Sequence, residues 1–318
     1  MQFFQKLLGK ELKSKGIIAL SISTEGIALA ISEYNENQKP TLVHCEFIHT
    51  NNKLATLKEL TEKHQLEKYE CNLVLTSNDY RLVTIEAPSV EDDELSDAIR
   101  WKISDLIEFQ VDDAIIEHYP LPASQRSNNE SMLEIIACPR SAVQTLVDLC
   151  INCGLQLKVI DTQETTLRNL ATLLPENNLG IATLHLQKNS GRIIIERQGS
   201  IYLSRRFTKG FDQLGLADNF LSTEQIAMEQ SNLALEIQRS FDYVESFYGL
   251  PPISCLAVIP LTENTQGLLN FLNSNHGITA RIMDLSTIID GDILLDDKTQ
   301  SLCAPVIGAT LRNSIESL

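Results

Sequence analysis

The same order of elements occurs twice in this 318-residue chain, and that repetition constrains the fold more than any other feature. After Gly16, the stretch GIIALSISTEGIALAISEY alternates as a hairpin: strand 17–23, a turn at Thr24-Glu25-Gly26, and strand 27–33. TLVHCEFIHT (41–50) continues as a third strand, LATLKELTEKHQL (54–66) has helical periodicity, and CNLVLTS (71–77) reads as a buried strand. From residue 179 the order returns. LGIATLHLQKNSGRIIIERQGSIYLSRRF gives three more strands, and a helix follows over about 223–248, with Leu233, Ile237, Phe241, Val244 and Tyr248 on one face. GLPP stops that helix, ISCLAVIP is a strand, TQGLLNFLNSN a helix and ITARIMDL a strand, and a last helix is predicted over about 304–316.

Between the two repeats, residues 81–161 read as a separate α+β unit. It comprises the strand YRLVTIEAP, the helix EDDELSDAIRWKISDLIEF, two strands joined by the polar loop ASQRSNNES, the helix RSAVQTLVDLCINCG and the strand LQLKVIDTQ. A helix over about 164–174 then ends before Pro175. The predicted organisation is therefore a leader helix (1–15), a first half (16–80 and 162–178), an inserted module (81–161) and a second half (179–318).

Composition excludes several function classes. A formal charge of −16 leaves too few clustered cations for a nucleic-acid binder. No apolar run reaches the roughly 18–20 residues of a transmembrane helix, and the start MQFFQKLLGKELKSKG lacks the features of a signal peptide. Seven dispersed cysteines read as reduced thiols. The one close pair, Cys150 and Cys153, has no second CxxC or HxxxH to complete a zinc site, so it reads as two helix-end thiols. His44 and His49 look too isolated to ligate a metal, and none is expected.

Three other features invite a role. In the leader, Phe3, Phe4, Leu7 and Leu8 share a helical face beside four lysines and one glutamate, which suits either a membrane surface or a packing partner. Asp290, Asp292, Asp296 and Asp297 lack calcium-loop spacing and read as a solvated acidic face. Trp101, the single tryptophan, projects opposite Leu95, Ile99, Ile103 and Leu106 on the helix 94–108. It would be a partner contact or would pack on a neighbouring part of the chain.

At this point the residues resemble a known family. AIRWKISDLIEFQVDDAIIEHYPL (98–121), CPRSAVQTLVDLCINCGLQLKVIDTQ (138–163), LALEIQRSFDYVESFYGLPPISCLAVI (233–259) and the ending APVIGATLR are together similar to the PilM-like type IV pilus assembly proteins of the actin-like ATPase superfamily. The nearest branch serves mannose-sensitive haemagglutinin (MSHA) pili. The resemblance implies an α/β fold of two RNase H-like halves with an inserted module. It also implies a cytoplasmic protein, peripheral on the inner membrane, that takes the cytoplasmic tail of a bitopic PilN-like partner in a groove between residues 41–85 and the inserted module.

The same resemblance shows what is missing for nucleotide. Nucleotide-binding relatives carry G-x-D-x-G-[ST] in the first hairpin, but here Ser21 replaces the Asp, Ser23 replaces the Gly, and Thr24 follows. The second hairpin should read close to D-x-G and instead reads His185-Leu186-Gln187. The adenosine turn, Ile259-Pro260-Leu261-Thr262-Glu263-Asn264, has no glycine cluster. Without carboxylates for Mg²⁺, or glycines that let backbone N–H groups approach phosphate, the expectation is a pseudo-ATPase with no cofactor. Gly210-Phe-Asp-Gln-Leu-Gly215 lacks the P-loop lysine, since Leu216 stands there. The rival reading is an ATP-binding switch in which Ser21, Ser23 and Thr24 still contact phosphate.

Overall fold

The computed structural model describes residues 14–35, 39–124, 131–216, 221–253, 255–262, 264–275 and 278–312. The leader residues Phe3, Phe4, Leu7 and Leu8 lie outside them. Each repeat folds as a five-stranded sheet. In the first half, β1 (Gly16–Ile22), β2 (Gly26–Tyr34) and β3 (Pro40–His49) form an antiparallel meander. Helix α1 (Lys53–His64) then crosses to β4 (Glu70–Val74), parallel to β1. In the second half β9 (Ile181–Leu186), β10 (Gly191–Arg197) and β11 (Ser200–Phe207) repeat the meander. Helix α5 (Thr223–Tyr248) crosses to β12 (Leu256–Val258), and α6 (Thr265–Asn275) leads to β13 (Ala280–Ile282). Helix α5 begins in a Ser222/Gln225 capping box and ends at Gly249 in the left-handed region, which a glycine adopts without steric cost.

The inserted module has its own three-stranded sheet, ordered β5-β7-β6, from β5 (Arg81–Glu86), β6 (Ala114–Pro120) and β7 (Met132–Pro139). Helix α2 (Leu95–Ile103) closes a small core of Ile85, Ile99, Ile103, Leu133 and Ile135. The helix is shorter than its apolar pattern predicts. Ser104 Oγ donates to the Trp101 carbonyl and Leu106 N–H to the Ile103 carbonyl, so the chain turns there. Leu106 is consequently exposed, and Ile107 takes the core position.

Two predicted boundaries move. Strand β8 (Gln156–Asp161) pairs in parallel with β4, which gives the order β3-β2-β1-β4-β8, matched by β11-β10-β9-β12-β13. Residues 140–161 therefore belong with the first sheet: helix α3 (Arg140–Asn152) buries Cys150 against Cys71 and Leu73 there. The last helix, α8 (Asp297–Thr310), starts seven residues earlier than predicted, capped by Asp296, and packs on β1, β2 and β3 of the first sheet. The span 179–318 is thus not wholly the second half. Helix α4 (Gln163–Ala171), which follows the first sheet, packs conversely on β9, β10 and β11, and α4 and α8 lie against each other.

The two helices form a layer between the sheets, and the strands are patterned for it. In β1 and β2, Ile18, Leu20, Ile27, Leu29 and Ile31 face α1 and α3, while Ala19, Ala28, Ala30 and Ser32 face α8. The alternation is large/small rather than apolar/polar, because both faces are covered and α8 must come close.

Candidate functional site

The resemblance puts any phosphate contact at the β1–β2 and β9–β10 turns, around Ser21, Ser23, Thr24, His185 and Gln187. The first turn is closed on itself: Ser23 N–H donates to the Gly26 carbonyl, and Ser23 Oγ bonds the Gly26 carbonyl and N–H at 3.3 and 3.2 Å. Lys53 Nζ takes the Thr24 carbonyl at 3.1 Å and also the Thr50 carbonyl. Gly26 serves packing, since a Cβ there would meet the Ile48 carbonyl at 2.2 Å. Ser21 is half-buried, on the Ala19 face of β1.

The second turn is held from the other side. Gln187 N–H donates to the Ser190 carbonyl, and Gln187 in turn accepts from Phe211 N–H through its own carbonyl. Gly210 sits so close that a Cβ would meet that carbonyl at 2.0 Å, which gives the partial glycine motif a packing reason. Among the described residues no hydrogen bond joins Ser21, Ser23 or Thr24 to His185 or Gln187. In the third turn Leu261 is buried, and its N–H donates to Thr265 Oγ1.

His185 is engaged through Nε2. Its Nε2 donates to the Ser301 carbonyl of α8 at 2.9 Å, and burial holds its pKa down at about 4, so the ring is neutral near pH 7. Pro305 explains the bond. A proline inside a helix has no N–H for the carbonyl four residues back, and that residue is Ser301. The imidazole fills the vacancy that the proline creates.

Beside His185 on the inner face, in register with it across β9 and β10, lies Arg192. Its guanidinium is the centre of a buried polar lock. Nε lies 2.7 Å from Glu164 Oε1, an ionic contact rather than a well-directed hydrogen bond, with the side chains 5% and 1% exposed. Its other nitrogens donate to Gln163 Oε1 and Ser77 Oγ at 2.5 and 3.1 Å. Tyr80 Oη donates to Glu164 Oε2 at 2.6 Å and accepts Gln163 N–H, and Arg206 donates to the Ser77 carbonyl. The lock ties β10 and β11 of the second half to α4 and to the segment 77–80 that leads into the inserted module. None of these residues carries a sequence motif. The visible signal was an arginine among the apolar residues of a core strand.

Glu134 on β7 is buried nearby. Burial, and then the charge of Glu164, push its pKa up to about 7. A carboxyl raised from about 4.5 binds its proton more tightly in the folded chain. Its stabilising contribution is complete below pH 4.5 and lost as pH rises through 7. Glu134→Gln, neutral at every pH, is expected to raise the unfolding free energy at pH 8 by up to about 3 kcal/mol and to change it little at pH 5. Denaturant melts at the two pH values check this, and equal effects at both would refute it.

The remaining candidates fall elsewhere. Trp101 is 80% exposed and edges a depression of ≈ 580 Å³ with Glu86, Ala87, Pro88, Ser89, Ala98, Lys102 and Ser131, so among the described residues no distant part of the chain covers it. Cys150 and Cys153 are buried at the end of α3 with Cys71 beside Cys150, and among the described residues they belong to no group of three ligand atoms close enough to share a metal. Asp296 serves as the N-cap of α8. Among those residues no helix is long and apolar enough to cross a membrane.

No protein-family profile matches the chain, and no curated protein matches it. Solved structures do. The chain is similar to a PilM–PilN type IV pilus biogenesis complex, with a TM-score of 0.72 and 18% identity over 96% of this chain and 100% of that one. It is similar to the cytoplasmic domain of EpsL, an inner membrane component of the type II secretion system of Vibrio cholerae, with a TM-score of 0.51 and 15% identity over 94% and 99%. It is also similar to a Bacteroides thetaiotaomicron protein with an actin-like ATPase fold, with a TM-score of 0.50 and 14% identity over 86% and 95%. At these identities the likeness establishes the fold, which is actin-like.

Proposed function

We propose that this chain is a structural adaptor of a type IV pilus inner-membrane assembly platform, of the MSHA kind, and that it captures the cytoplasmic tail of a bitopic PilN-like protein without turning over ATP. The observation that carries the reading is the end-to-end likeness to the PilM–PilN complex, which includes the inserted module. The state of the phosphate turns supports the second part. Ser23 and Gln187 spend their polar groups closing their own turns, His185 is committed to α8, and the Arg192 lock holds the halves where a nucleotide would part them. Ser21, Ser23, Thr24, His185 and Gln187 offer the metal of MgATP no carboxylate. Trp101, exposed on the module, supplies an aromatic anchor for the captured tail.

Two titrations test the two parts separately. Calorimetry with millimolar MgATP is expected to show no binding heat, and saturable binding would end the pseudo-ATPase reading in favour of a nucleotide-controlled switch. A synthetic tail peptide of the PilN-like partner is expected to shift the fluorescence of Trp101, the only tryptophan. Trp101→Ala is expected to weaken that peptide, followed by calorimetry, about tenfold with no change in melting temperature. Absence of peptide binding to the unmodified protein would end the adaptor reading.

A further inference from the structure

The fold brings together three ligand-type side chains that are scattered in sequence. His44 and Glu46 alternate on β3 and so share its outer face, just past a β-bulge at Val43. His64 is the last residue of α1, which packs over that face. His44 Nε2 lies 2.9 Å and His64 Nε2 3.3 Å from the same oxygen, Glu46 Oε1, and the imidazole rings are 4.4 Å apart, tilted by 33°. One ligand atom from each of the three lies within 4.8 Å of the others.

We propose that His44, Glu46 and His64 bind a divalent ion of the zinc class. Two imidazoles and one carboxylate are a donor set that zinc takes with a fourth position left to water. With bonds of about 2.0–2.1 Å, tetrahedral ligand atoms stand roughly 3.3 Å apart, so the cluster is already near the required spacing. His64 Nε2 is buried without a hydrogen bond of its own. The Nε2 atoms of both imidazoles thus face the same carboxylate oxygen, where one cation would engage all three ligands. Lys63 Nζ, 3.6 Å from Glu46 Oε1, is the cation now nearest, but its side chain is 61% exposed and can swing into water. A bound ion would pin the end of α1 to the edge strand of the first sheet.

The test uses the full chain, stripped with chelator and titrated with Co²⁺ and Zn²⁺. One equivalent is expected to bind at micromolar metal. The cobalt spectrum should lack the thiolate charge-transfer band, and the melting temperature should rise with free zinc. His64→Asn and Glu46→Gln should each weaken binding by more than the roughly 10–100-fold that loss of an outer partner costs. Their melting in chelator alone verifies that both variants fold. A thiolate band, undiminished binding in the two variants, or no stoichiometric binding to the unmodified protein would each overturn the assignment.

Discussion

Arg192→Met is expected to lower the unfolding free energy by about 3–5 kcal/mol, the cost of leaving one member of a buried ion pair without the other. The physical reason is the position of Glu164, 1% exposed with its Oε1 aimed at the guanidinium. Without Arg192 only Tyr80 Oη remains to the carboxylate, Ser77 Oγ loses its donor, and Gln163 Oε1 keeps only that from Ser77 Oγ. Adding Glu164→Gln in the same chain removes the stranded charge and is expected to recover a large part of the loss, giving a coupling energy that two independent sites would not show. Chemical denaturation of the two single variants and the double variant measures it. A single-variant loss under about 1 kcal/mol, or strict additivity, would mean that the lock does not hold the halves. The same variants have a second readout. If the lock keeps the halves closed over the phosphate turns, amide exchange in α4 and β10 should quicken in Arg192→Met.

Gly308→Val is expected to cost about 1–3 kcal/mol or more, through overpacking at the contact of α4 with α8. A Cβ at Gly308 would stand 2.1 Å from the Thr166 carbonyl oxygen and 2.8 Å from its carbon, and backbone cannot move aside as a flexible side chain can. Asn169 Nδ2 donates to the Gly308 carbonyl at 3.0 Å, so displacing the helix would also break that bond. Glycine inside a helix costs about 1 kcal/mol relative to alanine, so the position works against helix propensity in favour of close approach. Gly308→Ala should therefore destabilise by less than the valine variant, because propensity offsets part of the clash. Lys298→Ala, on the exposed first turn of α8, serves as the control and should leave the melting temperature unchanged. A valine variant as stable as the control would mean that the two helices are not in tight contact.

Part of what the proposed function rests on is residue type at a spacing, and so could be read before the fold was known: Ser21, Ser23 and His185 stand where the resemblance implies Asp, Gly and Asp. The exposure of Trp101, which faces away from the apolar stripe of its own helix, could be read in the same way. The use to which those positions are put was not legible. His185 is held by a carbonyl that Pro305 frees 120 residues later in the chain, and no local pattern links the two. The Arg192 lock joins segments near 77, 164 and 192, and the metal-ligand cluster needs α1 folded back over β3 before His64 meets His44 and Glu46.

By itself the sequence determined the elements and their repetition. Apolar periodicity of 2 and 3.6 residues, glycine and proline punctuation, and helix caps are local effects, and they recur in the two halves because the same packing problem is solved twice. Only the tertiary structure decided membership. Strand β8 completes the first sheet although it follows the inserted module, α8 leaves the second half to cover the first, and α4 does the reverse. A strand or helix records in its own residues which face must be buried, but not which distant surface will bury it. That choice rests on the summed fit of small residues such as Ala19, Ala28, Ala30 and Gly308 against backbone that arrives from elsewhere in the chain.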